Sequence, residues 1–178
     1  MPEAWVPLIS TLIGAAVGGT VAMLTARMTN RSNAAREKER YAAEQTKHRT
    51  DLIRSRAEEL YVLFEKWEAD LKVYQFSQFS WICGKISRAE ALDVASKHMP
   101  TDRNTGRMEM LVQAYFPEVS PAYASFLASR DMVNSVMAAC GQHAGTPEAT
   151  ARTRAAMEES HERGAAVRQA ILRQLRSL

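Results

Sequence analysis

The stretch that decides the fold is IRSRAEELYVLFEKWEADLKVY, residues 53–74. It contains neither glycine nor proline, and most of its residues favour helix. Its apolar positions advance in alternating steps of four and three: Ile53, Ala57, Leu60, Phe64, Trp67, Leu71 and Tyr74. A mean spacing of about 3.5 residues is typical of the seam of a bundle or coiled coil. Val62 and Leu63 widen this seam, which favours a globular bundle over a two-stranded coil.

Helical patterns continue on the C-terminal side of this stretch. Gly84 predicts the end of the helix, and a capping box from Ser87 to Glu90 predicts a short helix that ends near His98. Residues 99–106 have the composition of a loop. Further helices follow, the last of which ends near Leu175, and strand-like alternation does not occur in the sequence. The predicted fold is all-α, with a cytosolic helical domain at residues 51–178.

The N-terminal side is dominated by WVPLISTLIGAAVGGTVAMLTAR, residues 5–27, within an uncharged run at 4–26. That run would form about 34 Å of helix, and a bilayer's hydrocarbon core is about 30 Å thick. A signal peptide would begin with a positively charged region, which this sequence lacks. A buried core helix would normally show a polar face. The stretch therefore predicts a transmembrane anchor at residues 1–27, which continues into the helical bundle.

The charge that follows the anchor predicts its orientation. Residues 27–56 contain nine Lys and Arg and four acidic residues, and 9 − 4 gives a net charge of +5. The positive-inside rule places this side in the cytoplasm, so the protein is predicted to cross the bacterial inner membrane once, with its N-terminus outside and its C-terminal domain cytoplasmic. Residues 28–50 are predicted to form a basic juxtamembrane helix. Its basic side chains are expected to bind membrane lipid headgroups, beginning with Arg27, Arg31, Arg36, Lys38 and Arg40.

Small residues form a stripe on one face of the predicted anchor. Ser10, Gly14, Gly18 and Ala22 are spaced by four residues, and Gly14 and Gly18 form a GxxxG pattern. Such stripes allow close helix contact in lipid, and we predict a homo-oligomer formed through this oligomer or pore helix. The alternative is that glycine is simply common in membrane helices.

Motifs for metals, phosphates and nucleophilic catalysis are absent from the sequence, so neither a metal nor another cofactor is expected. Most carboxylates lie among Lys and Arg at helical spacing, which predicts a solvated surface. The candidate catalytic pair is Arg154 and His161. Their spacing resembles the Arg-x4–6-His motif of HEPN-type ribonucleases, in which histidine moves a proton and arginine holds phosphate charge. The alternative is a surface pair linked to Glu158 or Glu162, so we predict a protein that is not an enzyme and leave RNA binding open.

The run RMEMLVQAYFP at residues 107–117 and the triplet Pro121 to Tyr123 resemble small bacterial single-span membrane proteins with a cytosolic helical domain. They share the opening at residues 5–8 and a helix like that at residues 56–61. The layout is similar to the membrane-pore accessory proteins of CRISPR systems with an RNA-guided RNase, which carry a degenerate HEPN-like Arg/His pair. This resemblance implies a ring-shaped membrane pore that supports antiviral defence. The alternative is a non-catalytic, membrane-tethered scaffold for a cytosolic protein partner.

Overall fold

The computed structural model describes the backbone of residues 5–98 and 102–178 and the side chains of residues 23–98 and 105–178. Its helices are α1 (Trp5–Ile82), α2 (Arg88–Lys97), α3 (Asp102–Tyr115), α4 (Ser120–Cys140) and α5 (Pro147–Arg176). Short 3-10 turns at Pro117–Val119 and Gly141–His143 precede α4 and follow it. The described ranges contain no strand, so the prediction of an all-α fold is confirmed.

By its internal contacts the chain divides into two units, residues 1–49 and 50–178. In the first unit, every side chain described, from residue 23 to residue 49, is exposed. The second unit contains the buried residues and is a helical bundle. The predicted domain limits at residues 27 and 50 stay predictions.

The prediction of an N-terminal transmembrane helix is wrong. Among the residues that the structure describes, no helix has a stretch long and apolar enough to cross a membrane. From Arg27 onward α1 carries a charged side chain in nearly every turn, which breaks any apolar run. The predictions of a single-pass inner-membrane location and of its orientation depended on that helix, so they are wrong as well.

The core of the bundle is built on the predicted seam of α1. Ala57, Leu60, Phe64, Trp67 and Leu71 are all buried, and Ile53 and Tyr74 pack against them at the two ends. They meet apolar residues from the other long helices and the turn before α4: Met108, Leu111, Val112, Phe116, Val119, Tyr123, Phe126, Val167, Ala170 and Ile171. A second cluster joins the end of α1 to α4 and α5 and includes Ile82, Val133, Met137, Cys140 and Met157.

Three aromatic rings form the centre of the main cluster. The ring centroid of Phe126 lies 5.3 Å from that of Phe64 and 5.4 Å from that of Trp67, in edge-to-face geometry in both cases. Such pairs contribute about 0.5–1.5 kcal/mol beyond their buried area. Phe126 therefore links α4 to two consecutive turns of α1.

Two glycines with positive φ form neighbouring turns at one end of the bundle, where Gly84 ends α1 and Gly145 precedes α5. Gly84 has a φ of 72°, and its N–H donates to the Trp81 carbonyl at 2.8 Å, while the Lys85 N–H donates to the Ser80 carbonyl at 3.0 Å. This is the Schellman geometry, in which glycine adopts a left-handed conformation at low cost. Gly145, with a φ of 86°, donates its N–H to the Ile82 carbonyl at 2.7 Å. A Cβ on Gly84 would lie 3.7 Å from the Gly145 Cα, so the two turns are in contact.

Helix α3 begins earlier than its composition suggests. The predicted loop at residues 99–106 is wrong from Asp102 onward, because α3 starts there, and residues 99–101 lie outside the described backbone. Two hydrogen bonds connect α3 to α1. The Nε and Nη2 atoms of Arg107 donate to the two carboxylate oxygens of Glu59, at 2.7 and 2.9 Å. Hydrogen bonds from Arg56 and then Arg107 hold the pKa of Glu59 below its ordinary value.

Candidate functional site

A cluster of charged side chains interrupts the apolar interface between α1 and α5. At its centre is Glu68, whose side chain is only 3 % exposed. Arg168 of α5 pairs with one carboxylate oxygen of Glu68, and the Lys72 Nζ lies 2.9 Å from the other. The Arg168 Nε also lies 3.4 Å from an oxygen of Glu65. The cluster therefore contains two carboxylates and two cations, and its charges balance.

The small size of Gly164 makes room for the buried carboxylate. A Cβ at Gly164 would lie 2.5 Å from Oε1 of Glu68 and 3.3 Å from the ring of Phe126. The prediction that carboxylates lie on a solvated surface is wrong for Glu68, because the residue follows Trp67 and lies at the edge of the seam. A buried charge is tolerated when partners satisfy it, and Arg168 and Lys72 provide them. This arrangement fixes α5 against α1.

Gly164→Ala is expected to destabilise the protein by about 1–3 kcal/mol, because the added methyl group overpacks Glu68 and Phe126. Gly106→Ala in α3 is the matched control, since a Cβ there meets nothing within 4 Å. Helix propensity alone favours alanine over glycine by about 1 kcal/mol, so the control should be stabilised. Urea denaturation of both variants measures the difference. If both variants were stabilised, the space between Gly164, Glu68 and Phe126 would be large enough for a methyl group.

A shallow hollow of about 320 Å³ lies beside the charged cluster. Lys72, Val73 and Phe76 of α1 and Met157 and His161 of α5 line it. Burial, followed by the charge of nearby Lys72, lowers the pKa of His161 below its ordinary value. The imidazole is therefore uncharged at neutral pH, and the hollow is mainly apolar.

The predicted catalytic pair contacts different parts of α1. The guanidinium of Arg154 lies 6.0 Å from the ring centroid of Phe79, whereas His161 faces the hollow with Val73 and Phe76. Two helical turns, about 10.5 Å along the axis, separate the two residues on α5. The described contacts do not bring Arg154 and His161 into one site. That the protein is not an enzyme stays a prediction, and HEPN-like activity on RNA stays the less favoured alternative.

The other predicted site residues belong to the N-terminal part of the chain. Ser10, Gly14, Gly18 and Ala22 lie outside the described side chains, and their role in an oligomer or pore helix stays a prediction. The basic side chains assigned to lipid headgroups are described and exposed: Arg27, Arg31, Arg36, Lys38 and Arg40. Their lipid role also stays a prediction. Among the described residues, no group of three or more His, Cys, Asp or Glu could hold a metal ion.

Sequence reasoning missed an exposed apolar face on α1, and the prediction that Val62 widens the buried seam is wrong because Val62 lies on this exposed face. Val62 and Phe76 are each 64 % exposed and Val73 is 38 % exposed, while the exposed Ala69 lies between them. Steps of seven, four and three place these four residues, here called the α1 strip, on one side of the helix. The strip could have been found as a second 3.5-residue pattern parallel to the buried seam.

Comparisons with known proteins found no match: no family model, no curated protein and no solved structure corresponds to this chain. The function must therefore be argued from the geometry of the chain itself.

Proposed function

We propose that this protein is a non-catalytic helical scaffold that associates with a second copy of itself through the α1 strip. The observation that carries the proposal is the exposure of Val62, Val73 and Phe76 on one face of a helix whose opposite face is the bundle core. Contiguous exposed apolar side chains are typical of interaction surfaces. The membrane pore that the resemblance implies is not carried over, because it requires the membrane helix.

The α1 strip is complementary to itself. When two strips pack antiparallel about a twofold axis at Ala69, Val62 of one copy faces Phe76 of the other, because each lies seven residues from the axis. The small side chain of Ala69 allows the two helices to approach closely. A twofold interface uses the same surface on both copies, and this pairing meets that requirement.

Charges beside the strip support the same pairing. Glu65 lies four residues before Ala69 and Lys72 three residues after it, so Glu65 of each copy comes next to Lys72 of the other. Their side chains are 44 % and 41 % exposed in the single chain, so both are partly accessible to the other copy. Complementary charges of this kind fix the register of an interface more than its affinity.

The hollow beside Phe76 accommodates the second copy. In the antiparallel pairing, the Val62 side chain of the partner copy lies over Val73 and Phe76, where the hollow of about 320 Å³ opens. A contact along one helix face buries less area than the roughly 1,200–2,000 Å² of stable interfaces. We therefore expect a dimer whose population depends on concentration.

Phe76→Glu is expected to weaken dimerisation about tenfold or more, because it places a charge in the apolar contact with Val62 of the other copy. The control is Met132→Glu on α4, which also replaces an exposed apolar residue, 58 % exposed, away from the strip. Sedimentation equilibrium of the full chain over a wide concentration range measures both. A strictly monomeric wild-type chain would overturn the proposal.

Cross-linking tests the position of the twofold axis. In a Cys83→Ser background, Ala69→Cys should form a dimer under mild oxidation, because residue 69 faces its own copy. Ala128→Cys, at an exposed position of α4, is the matched control and should cross-link much more slowly. Equal rates for the two variants would exclude this register.

A further inference from the structure

A groove between α1, α2 and α4 carries an inference beyond self-association. Its volume is about 510 Å³, and its walls include Tyr74, Gln78 and Trp81 of α1, Arg88 and Leu92 of α2, and Asn134 of α4. Binding clefts commonly have this size and combine apolar walls with a few placed polar groups. The groove shares no lining residue with the hollow beside Phe76.

The Trp81 ring is held in place on two sides. On one side the ring packs against the 3-10 turn after α4 so closely that a Cβ at Gly141 would lie 2.6 Å from its Cη2 atom. On the other side the Arg88 guanidinium carbon lies 5.4 Å from the ring centroid, a cation–π distance. The indole and the guanidinium are therefore positioned before any ligand arrives.

The cationic and amide side chains of the groove make neither an ion pair nor a hydrogen bond within the described part of the chain. Arg88 makes no ion pair there, and the amide side chains of Gln78, Asn134 and Gln142 make no hydrogen bond there. An amide side chain offers both a donor and an acceptor, which matches the N–H and C=O groups of a peptide backbone. Leu92, which is 53 % exposed, and Met137 provide apolar contacts between these amides.

From these features we propose that the groove binds an extended segment of a partner protein that carries an acidic side chain. The carboxylate pairs with Arg88, the amides of Gln78, Asn134 and Gln142 hydrogen-bond to the peptide backbone, and an apolar side chain packs beside Leu92. An unpaired guanidinium on an aromatic ring favours a planar carboxylate that it can hold with two hydrogen bonds. The groove thus gives the scaffold a site for a second, different protein.

The first step of the test selects peptides from a random display library on the wild-type full-length chain. We expect the enriched sequences to share an aspartate or glutamate next to an apolar residue. The selected peptide, synthesised with a fluorescent label, is then titrated by anisotropy, alongside a version with the acidic residue changed to its amide. The amide version should bind about tenfold more weakly, because it loses a charge-assisted hydrogen bond.

Variants of the chain show where the peptide binds. Arg88→Ala should weaken binding of the acidic peptide about tenfold and leave the amide version unchanged, while Arg173→Ala, at an exposed position of α5, should change neither. Gly141→Ala should weaken both peptides, since it displaces the Trp81 ring without altering charge. Circular dichroism confirms that each variant is folded.

Two results would overturn the proposal. One is a library selection in which the wild-type chain enriches no acidic peptide over Arg88→Ala. The other is an equal loss of affinity for both peptide versions in Arg88→Ala. Phe76→Glu should bind the selected peptide normally, so failure of the groove and failure of the dimer are separate outcomes.

Discussion

Arg168→Ala is expected to lower the free energy of unfolding by about 3 kcal/mol. Removal of one member of a buried ion pair costs about this much, because it leaves the other charge without compensation. Glu68 would keep only Lys72, whose side chain is 41 % exposed. The loss should appear as a lower midpoint in urea, with an unchanged dependence on denaturant.

Two further variants complete this test. Arg163→Ala removes an exposed pair with Glu159, at 3.4 Å, and should cost about 0.5 kcal/mol or less. The double variant Glu68→Leu/Arg168→Met removes both charges and should recover most of the loss, since an apolar replacement of a buried pair is often neutral. If Arg168→Ala were as mild as Arg163→Ala, the pair would not be buried in solution.

Phe126→Ala is expected to destabilise the bundle by about 3–5 kcal/mol, the usual cost of truncating a buried aromatic residue. The ring is 1 % exposed and contacts both Phe64 and Trp67, so its removal opens a cavity between α1 and α4. Phe126→Leu should lose less, because it keeps much of the volume. Met132→Ala on the same helix, 58 % exposed, should change stability by about 0.5 kcal/mol or less. Thermal unfolding ranks the three variants, and equal stabilities would contradict this account.

The core was predictable from the sequence because burial follows spacing. Every seam position from Ala57 to Leu71 is buried, as the 3.5-residue pattern indicates. The stop at Gly84 and the capping box at Ser87 were predictable for a different reason, since each depends on a few adjacent residues. Local chemistry and periodicity therefore account for the helices and for the face of α1 that is buried.

The charged cluster was not predictable, because it depends on residues distant in sequence. Glu68 and Arg168 lie 100 positions apart, and nothing in the sequence near either residue shows that they pair. In the sequence, Gly164 is only a residue that disfavours helix. Its role in making room for the carboxylate becomes visible once the position of α1 is known. The same holds for the groove at Trp81, which three helices form together.

The N-terminal prediction failed because it relied on hydropathy alone. Absence of charge over residues 4–26 predicted a membrane helix, but the part of α1 with described side chains is charged and exposed from Arg27 to Arg49. The small-residue stripe depended on the same interpretation. Exposed apolar residues are described in both parts of the chain: Met23, Leu24 and Met28 lie in the N-terminal part, and Val62, Val73 and Phe76 lie on the bundle.

The contact between the turns at Gly84 and Gly145 has a consequence for engineering. An epitope or a domain inserted into either turn would separate the two turns and break the hydrogen bond from the Gly145 N–H to the Ile82 carbonyl. A side chain at either glycine would strain its own turn, because each has a positive φ. Tags and fusions therefore belong beyond Arg176, where α5 ends and the remaining residues are exposed.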